Sequence, residues 1–215
     1  MTRTTPASTE YVLPRQLREG PAAEVLAAPA PPIPLLDGSF RLRTVDPDSA
    51  DTELIAEWMR MPRLIAGWEQ DWPTEKWYGH LKAQTDGSYS RPILCIFRDK
   101  PIGYLEIYRA AQDSIATRYA AEPFDLGIHA AIADEAMARR GFGPLLLPRI
   151  VSGLFDLESE CWRIMFDPDH RNNEARRLCE HAGCAFLGEH RMSNRTMALY
   201  VLPRTPADVP GSPAR

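Results

Sequence analysis

Arg139-Arg140-Gly141-Phe142-Gly143-Pro144 is the segment from which the architecture can be worked out, because it leads from an apolar strand into a helix. Glycines let backbone N–H groups approach a ligand closely, and proline fits the first helical turn. That first turn also offers unpaired N–H donors and a partial positive charge, which suit a pyrophosphate, and Arg139 and Arg140 add charge beside it. A glycine turn before a helix has a purely structural role at least as often as a ligand-binding one. The surrounding sequence must therefore show which role this turn has.

Strands and helices alternate on both sides of this segment. The predicted strands are Phe40–Val45, Ile93–Arg98, Ile102–Tyr108, Phe124–Ala130, Trp162–Phe166, Phe186–His190 and Thr196–Leu202. The predicted helices are one capped by Ser49 and stopped before Pro62, one from Pro73 to Gly87, one after Pro144, and Asn172–Ala182 closed by Gly183. The order β-α-α-β-β-β-α-β-α-β-β predicts an α/β fold with a mixed central sheet flanked by helices.

Composition narrows the class of protein. Hydrophobic residues make up 44% and charged residues 25% of the 215, which is typical of a globular domain. The formal net charge of −4 comes without a long basic run, so no nucleic-acid partner is expected. No apolar stretch approaches the roughly 20 residues that span a bilayer, and no export signal is visible. The four cysteines have no metal-site spacing, so buried thiols, no metal and a cytoplasmic location are predicted.

The domain organisation follows from proline content. Residues 1–39 are rich in proline and alanine and read as an extended arm, with a short helix around Tyr11–Glu19. Residues 203–215 also carry frequent prolines and are predicted to be a flexible tail. The folded body is therefore expected over residues 40–202.

Two residues are the main candidates for chemistry. Asp167 ends an apolar strand, and Pro168 forces it into extended geometry at the edge where α/β sheets bind ligands. The alternative is a turn or cap residue for the next helix, a role that suits Asp169 better. His129 falls at the end of the preceding strand. Because the two strands are predicted to be parallel neighbours in the sheet, their ends can bring His129 and Asp167 to opposite sides of one cleft.

Other polar and aromatic residues are candidates for substrate contacts. Trp68 and Trp72, with Glu69 and Asp71, are predicted on the loop between the first two helices, either as core residues or as a wall that attracts a cationic amine. Glu106 faces either water or the cleft, and both orientations remain open. His170 is a candidate either for contacting the donor or for supporting a residue that does. The remaining histidines are interpreted as surface or packing residues: His80, His181 and His190.

The sequence resembles the GNAT acyltransferases, and within them the siderophore-biosynthesis branch. The glycine turn followed by Asn172-x-x-Ala175-x-x-Leu178 and Gly183 is similar to the donor-binding and following-helix motifs of the family. Longer matching stretches cover most of the body: 56–59, 68–73, 103–108, 125–134, 140–151 and 163–172. The resemblance implies the GNAT (acyl-CoA N-acyltransferase) fold.

The resemblance also implies an activity. It is transfer of a medium- or long-chain fatty acyl group to the ε-amino group of a lysine or N-hydroxylysine unit in a mycobactin-type siderophore. The co-substrate would be the acyl-phosphopantetheine of an acyl carrier protein, or acyl-CoA, with no permanently bound cofactor. Asp167 corresponds to the family's base and His129 to its substrate-contacting histidine, while Arg139, Arg140, Gly141, Phe142, Gly143 and Asn172 would contact the donor.

Two positions depart from the general GNAT pattern. The donor loop usually begins with Gln or Arg, but this position holds Ala138, which predicts weaker binding of a CoA pyrophosphate and suits a carrier-protein donor. Cys179 stands where a tyrosine often acts as the general acid. Two other functions remain open: a short-chain N-acetyltransferase acting on N-hydroxylysine or an aminoglycoside-like amine, and a non-catalytic module that binds a carrier protein.

Overall fold

The computed structural model describes residues 17–68, 70–193 and 195–211. Among them the helices are α1 Ala23–Ala27, α2 Asp51–Met59, α3 Pro62–Trp68, α4 Thr74–Asp86, α5 Glu135–Arg139, α6 Phe142–Leu157 and α7 Asn173–His181. The strands are β1 Phe40–Thr44, β2 Ser90–Phe97, β3 Lys100–Arg109, β4 Leu126–Ile132, β5 Arg163–Phe166, β6 Ala185–Arg191 and β7 Thr196–Pro203. Short 3₁₀ helices cover Ala110–Gln112, Ser114–Arg118 and Pro206–Asp208.

The strands form one mixed sheet in the order β1-β2-β3-β4-β5-β7-β6. Among the described strands only β4 and β5 pair in parallel, and this confirms the predicted α/β class with its mixed central sheet. Their ladder joins Leu126 to Ile164 and Gly127 to Met165 and goes no further, whereas β3 follows β4 as far as Ile132. The two parallel strands therefore separate beyond Gly127 and open a gap in the sheet.

Each face of the sheet is covered by its own helices, as predicted. Apolar residues of α6 and α7, such as Leu154 and Cys179, pack with Leu105 and Ile128 on one face. Residues of α2, α3 and α4 pack around Tyr104 on the other face, where Trp77 and Leu81 are fully buried. Alternation along β3 therefore directs Tyr104, Glu106 and Tyr108 together towards the α2–α4 side.

Several local features differ from the predictions. The segment after Pro62 is helical, because proline is well tolerated at a first helical position, so Trp68 ends a helix instead of lying in a loop. Ser49 is not the cap of α2, but its hydroxyl accepts the N–H of Asp51 at 3.2 Å. Between β3 and β4, where no element is predicted, lie two 3₁₀ turns, and the buried Asp113 carboxylate caps the second by accepting from Ile115 N at 3.0 Å.

The proline-rich segments contact the body within the described range. Gln112 Nε2 donates to Val25 O at 3.1 Å, and the fully buried Arg109 donates through Nε to Pro29 O at 2.7 Å. Pro34 lies against Gly153, where an added Cβ would come within 2.5 Å of the proline ring. Residues 11–16 of the predicted short helix lie outside the described residues. The boundaries at 39 and 203 stay predictions.

In the part of the chain that is described, no helix is both long and apolar enough to cross a membrane. Cys95, Cys161 and Cys179 are buried free thiols, as predicted, and Cys184 is a half-buried one.

Candidate active site

The gap between β4 and β5 exposes backbone groups of β4. Ala133 N donates to Ile102 O at 2.8 Å and Ala110 N donates to Asp125 O at 2.9 Å, so odd-numbered residues of β4 bond to β3. In an antiparallel ladder the alternate residues point the other way. Ile128 and Ala130 thus direct their N–H and C=O groups towards β5, beyond its last paired residue.

Asp167 follows β5 at the edge of this gap and is only 4% exposed. Its Oδ1 accepts the Tyr108 hydroxyl at 3.0 Å and lies 3.0 Å from Nε2 of His129. Arg195, from the turn between β6 and β7, pairs with Oδ2 and also donates to the Asp167 carbonyl at 2.7 Å. The carboxylate is therefore oriented from three sides before any substrate binds.

His129 lies within β4, and the predicted position at the strand's end is wrong: the β3–β4 ladder continues to Ile132. The residue nevertheless reaches the gap, because the pairing with β5 has ended two residues earlier. Its ring stacks on Tyr108 with centroids 4.4 Å apart and meets the edge of Trp68 at 6.1 Å. The two sequence-predicted residues, His129 and Asp167, are therefore brought together in one cleft.

Glu106 faces the cleft and not water, which decides between the two orientations left open by the sequence. Its side chain is 2% exposed, and its Oε2 lies 3.1 Å from Nδ1 of His129. Its Oε1 accepts Tyr104 OH at 2.9 Å and Gln84 Nε2 at 3.0 Å, and lies 3.2 Å from Nε2 of His80. Burial alone would raise the pKa of Glu106, but the hydrogen bonds from His129 and His80 outweigh it and hold that pKa well below its usual range.

Of the two interpretations of His80, as a surface or as a packing residue, the surface one is wrong: His80 is 1% exposed, packs against Trp77, and also belongs to this network. The buried stripe of α4 is Trp77, His80, Leu81 and Gln84, at the spacing of one helical face, whereas Tyr78 is 41% exposed. A histidine and a glutamine at apolar-stripe positions were the sequence signal for this site. The contribution of Arg195 has no local signal, because it comes from a distant turn.

The two tryptophans have different neighbours. Trp68 is buried and packs against Tyr104, with ring centroids 5.4 Å apart, besides meeting His129. Trp72 packs against Trp77 at 5.2 Å and against His80 at 5.4 Å. Trp68 therefore borders the Asp167–His129 pair, while Trp72 is linked to it indirectly, through His80 or Trp77. Asp71 is exposed, and Glu69 lies outside the described residues.

The donor-loop residues lie at the N-terminus of α6. Gly141 is left-handed, with φ of 73°, and precedes the helix; the N-terminal position predicted for Pro144 is confirmed. The Phe142 ring, however, packs into the core against Phe40 at 5.4 Å and Phe97 at 5.3 Å, so only its backbone faces the loop. Arg139 pairs with Glu135 at 2.5 Å, and Arg140 is exposed.

Asn172 is the cap of α7, through Oδ1 accepting Ala175 N at 3.1 Å. The expectation that Asp169 caps this helix is wrong. Asp169 lies three residues before the cap, and its carboxylate accepts Arg171 N at 2.9 Å. Asn172 also lies close to α3, where its Nδ2 would be 3.7 Å from a Cβ added to Gly67. His170 lies with Nδ1 3.0 Å from Thr196 O.

Cys179 is buried on α7, at the position where the family often has tyrosine. Its hydrogen bond with Cys184 and its burial raise the pKa of the thiol. The thiol therefore remains protonated near neutral pH.

Gly127 is required by the close approach of Tyr108, since an added Cβ would lie 2.1 Å from Cζ of that ring. We expect Gly127→Ala to displace the ring, to destabilise the fold by about 1–3 kcal/mol, and to lower kcat/KM because Tyr108 also contacts Asp167 and His129. Urea denaturation and steady-state kinetics measure the two effects. Gly211→Ala is the control, because no atom lies within 4 Å of its added Cβ. An unchanged denaturation midpoint for Gly127→Ala would contradict the steric argument.

Comparison with known proteins places these features in context. A family model described as "Acetyltransferase (GNAT) domain" matches residues 48–192. The chain is 60% identical over 199 residues to "Lysine N-acyltransferase MbtK" of Mycobacterium sp. (strain MCS), covering 93% of this chain and 81% of that protein. It is 55% identical over 172 residues to the protein of the same name from Mycobacterium tuberculosis, covering 80% and 81%.

A solved structure, that of an uncharacterized protein from Bacillus halodurans, has a TM-score of 0.74 at 23% identity and covers 82% of this chain and 92% of its own. This likeness concerns the fold alone.

Proposed function

We propose that this chain, which belongs to the GNAT acetyltransferase family, transfers an acyl group from a pantetheine thioester to the ε-amino group of a lysine or N-hydroxylysine unit in mycobactin-type siderophore biosynthesis. The similarity to lysine N-acyltransferases over most of both chains supports lysine as the acceptor class. The observation that carries the proposal is the 3.0 Å contact between Asp167 and His129 at the gap between the parallel strands.

Asp167 is proposed as the general base. A lysine amine has a pKa of about 10.4, so only about one molecule in a thousand is nucleophilic at neutral pH. A positioned carboxylate that accepts its proton contributes about 10²–10⁴-fold. Tyr108 and Arg195 fix the orientation of this carboxylate, and His129, held between Tyr108 and Trp68, positions the acceptor.

The gap between β4 and β5 is proposed as the binding site of the thioester. The backbone N–H groups of Ile128 and Ala130 point into it and can polarise the thioester carbonyl as the amine attacks. The helix N-terminus at Gly141, Phe142 and Gly143 would receive the far end of the donor through backbone N–H groups. Arg139, Arg140 and Asn172 are proposed as neighbouring donor contacts.

The leaving group needs little assistance. A thiol with a pKa of about 8.5 departs readily as thiolate. The protonated thiol of Cys179 is therefore not required to act as a dedicated acid. Trp68 and Trp72 would bound the acceptor side, and Glu106, enclosed by four side chains, would act through His129 instead of contacting the acceptor directly.

The donor is proposed to be a medium- or long-chain acyl carrier protein, with acyl-CoA as the alternative. Ala138 lacks the side chain that the family often uses for the pyrophosphate, and this favours a carrier protein. We expect kcat/KM to be at least about tenfold higher with the acyl carrier protein than with the matching acyl-CoA, a difference of about 1.4 kcal/mol. Thiol release and product mass are measured with acetyl-, decanoyl- and palmitoyl-donors of each type.

Each other outcome of this donor screen has a defined meaning. A preference for acetyl-CoA would support the short-chain N-acetyltransferase instead. Binding of the carrier protein without transfer from any donor would support a non-catalytic module. Equal kcat/KM for CoA and carrier-protein donors would contradict the proposed donor while leaving the acyl transfer intact.

A further inference from the structure

The proposed path of the donor arm leaves the protein beside the first turn of α6. The N–H groups of Ile128 and Ala130 face the gap, and β4 continues from Ile128 to its end at Ile132, about 13 Å further along. A Cβ added to Gly143 would lie 3.7 Å from Cδ1 of Ile132, so α6 begins next to this end of the gap. Whatever carries the far end of a pantetheine arm must therefore contact the surface around this turn.

A cluster of three aromatic rings organises the surface on one side of the turn. The Phe142 ring lies 5.4 Å from that of Phe40 and 5.3 Å from that of Phe97, and the last two are 4.8 Å apart. The guanidinium of Arg149 lies 6.0 Å from the Phe40 ring, and that of Arg98 lies 5.2 Å from the Phe97 ring. Two cations from distant parts of the sequence are therefore held beside the donor loop by the same cluster.

An exposed leucine lies among these cations. Leu145 is 46% exposed and is one helical turn from both Phe142 and Arg149. An apolar residue surrounded by charged ones matches the apolar core and polar rim of a protein–protein interface. We call the four exposed residues of this region the α6 surface: Arg98, Arg140, Leu145 and Arg149.

The α6 surface is positive in a chain whose formal net charge is −4. Residues 136–155 contain three arginines and no carboxylate. Arg98 and Arg140 form no ion pair with any residue that the structure describes. Arg149 pairs with Asp37 at 3.3 Å, but that carboxylate is 88% exposed, so water competes for it and the pair contributes little. Three guanidinium groups are therefore available to an incoming anionic partner.

The other side of the exit has a different charge pattern. It is formed by α7, whose Leu178 would lie 3.8 Å from the Cβ added to Gly143. The exposed side chains of α7 carry both signs, in Glu174, Arg177 and Glu180. Charges of both signs give little net attraction, so charge complementarity favours the α6 side for an anionic partner.

We propose that the α6 surface is the docking site of an acyl carrier protein, which presents carboxylates around the attachment point of its phosphopantetheine arm to Arg98, Arg140 and Arg149. The inference rests on the proposed acyl transfer and identifies where its donor protein binds. Leu145 forms the apolar centre of the contact. Because the arm leaves the gap at this surface, the carrier protein stays docked while its thioester lies at Asp167.

The test uses three decanoyl donors with the same thioester: a discrete, acidic acyl carrier protein, CoA, and pantetheine, which has neither protein nor phosphate. We expect Arg149→Glu to lower kcat/KM with the carrier-protein donor about tenfold, because a charge at an interface rim mainly changes the association rate. Added salt should narrow this difference, since it screens exposed charges. Thiol release is measured with the full chain and a lysine acceptor.

The two small donors should not distinguish the variant from the wild type. Arg149 lies seven residues beyond Phe142, about 10 Å along α6, so a pyrophosphate bound at the first turn does not contact it. Pantetheine carries no charge to attract. We therefore expect unchanged kcat/KM with decanoyl-CoA and with decanoyl-pantetheine.

Arg177→Glu is the matched control. It changes the net charge of the chain by the same amount at an exposed residue of α7, outside the α6 surface, so kcat/KM should stay at the wild-type value with all three donors. Leu145→Ala is a second variant, which removes apolar contact without changing charge. We expect it to lower kcat/KM about fivefold with the carrier protein alone, at low and at high salt.

Binding gives a measurement that does not depend on turnover. The same carrier protein, labelled with a fluorophore, is titrated with the full chain and followed by fluorescence polarisation. Arg149→Glu is expected to raise Kd about tenfold at low salt, in line with the loss of kcat/KM, and Arg177→Glu is expected to leave Kd unchanged.

The outcomes separate the docking site from the acyl transfer. Wild-type Kd and kcat/KM of Arg149→Glu with the carrier protein would overturn the site, and so would an equal loss in Arg177→Glu. An equal loss with decanoyl-CoA would assign the α6 surface to nucleotide phosphates instead. In each case transfer by the wild-type chain upholds the proposed function. Transfer from none of the donors, with binding still weakened by Arg149→Glu alone, would overturn the acyl transfer and uphold the docking site.

Discussion

Replacing Asp167 with asparagine will lower kcat/KM for the lysine acceptor by about 10²–10⁴-fold, the contribution of a positioned base. Asparagine has nearly the same shape and still presents an oxygen to Tyr108 and His129, but its amide nitrogen replaces the oxygen that pairs with Arg195. The variant therefore loses this ion pair and the capacity to accept a proton from the amine. Thiol release at pH 7 with saturating acyl donor measures the effect.

Asp169→Asn is the control for this variant. Asp169 is 5% exposed and lies two residues away, but its carboxylate is occupied by Arg171 instead of by His129. We expect it to keep the wild-type rate. A folded Asp167→Asn protein with wild-type kcat/KM would show that another group deprotonates the amine.

Glu106→Leu will destabilise the fold by about 3–5 kcal/mol, the range for removing one partner of a buried charged network. The carboxylate accepts hydrogen bonds from Tyr104 and Gln84 and lies between His80 and His129. Leucine fills a similar volume but leaves these polar groups buried without an acceptor. The free energy of unfolding from urea denaturation gives the magnitude.

Glu106→Gln separates charge from shape in the same position. It keeps one acceptor oxygen and nearly the same volume, so we expect a smaller loss of stability than for leucine. If Glu106→Leu unfolded at the wild-type urea concentration, the network would contribute nothing to stability and its members would be held by packing alone.

The fold was largely predictable because its main signals are local. Short apolar or alternating runs marked the seven strands found in the described part of the sheet, and Pro73 and Gly87 bounded α4 closely. Boundary errors came from residues with two roles: Pro62, interpreted as a stop, begins α3. The 3₁₀ turns around Asp113 were missed because the carboxylate that caps the second one is buried, and polarity alone does not indicate a buried aspartate.

The site was only partly predictable, for a different reason. His129 lies on β4 and Asp167 directly follows β5. Because these two strands are parallel neighbours, the topology alone indicates that the two side chains meet. Arg195 and His80 reach the same centre from elements that are distant in sequence, and only the complete fold brings them there. The donor role of Phe142 rested on a motif, whereas its ring is occupied in the core.

The contacts of residues 25–34 with the body have a practical consequence for anyone who recombines or shortens genes of this kind. A product beginning at Phe40 would deprive the buried Arg109 guanidinium of the Pro29 carbonyl and would uncover Gly153 on α6. A chimera that joined the leading segment of one homologue to the body of another would have to match Pro34 to a glycine at that helix position. Crossovers upstream of Val25 preserve these contacts.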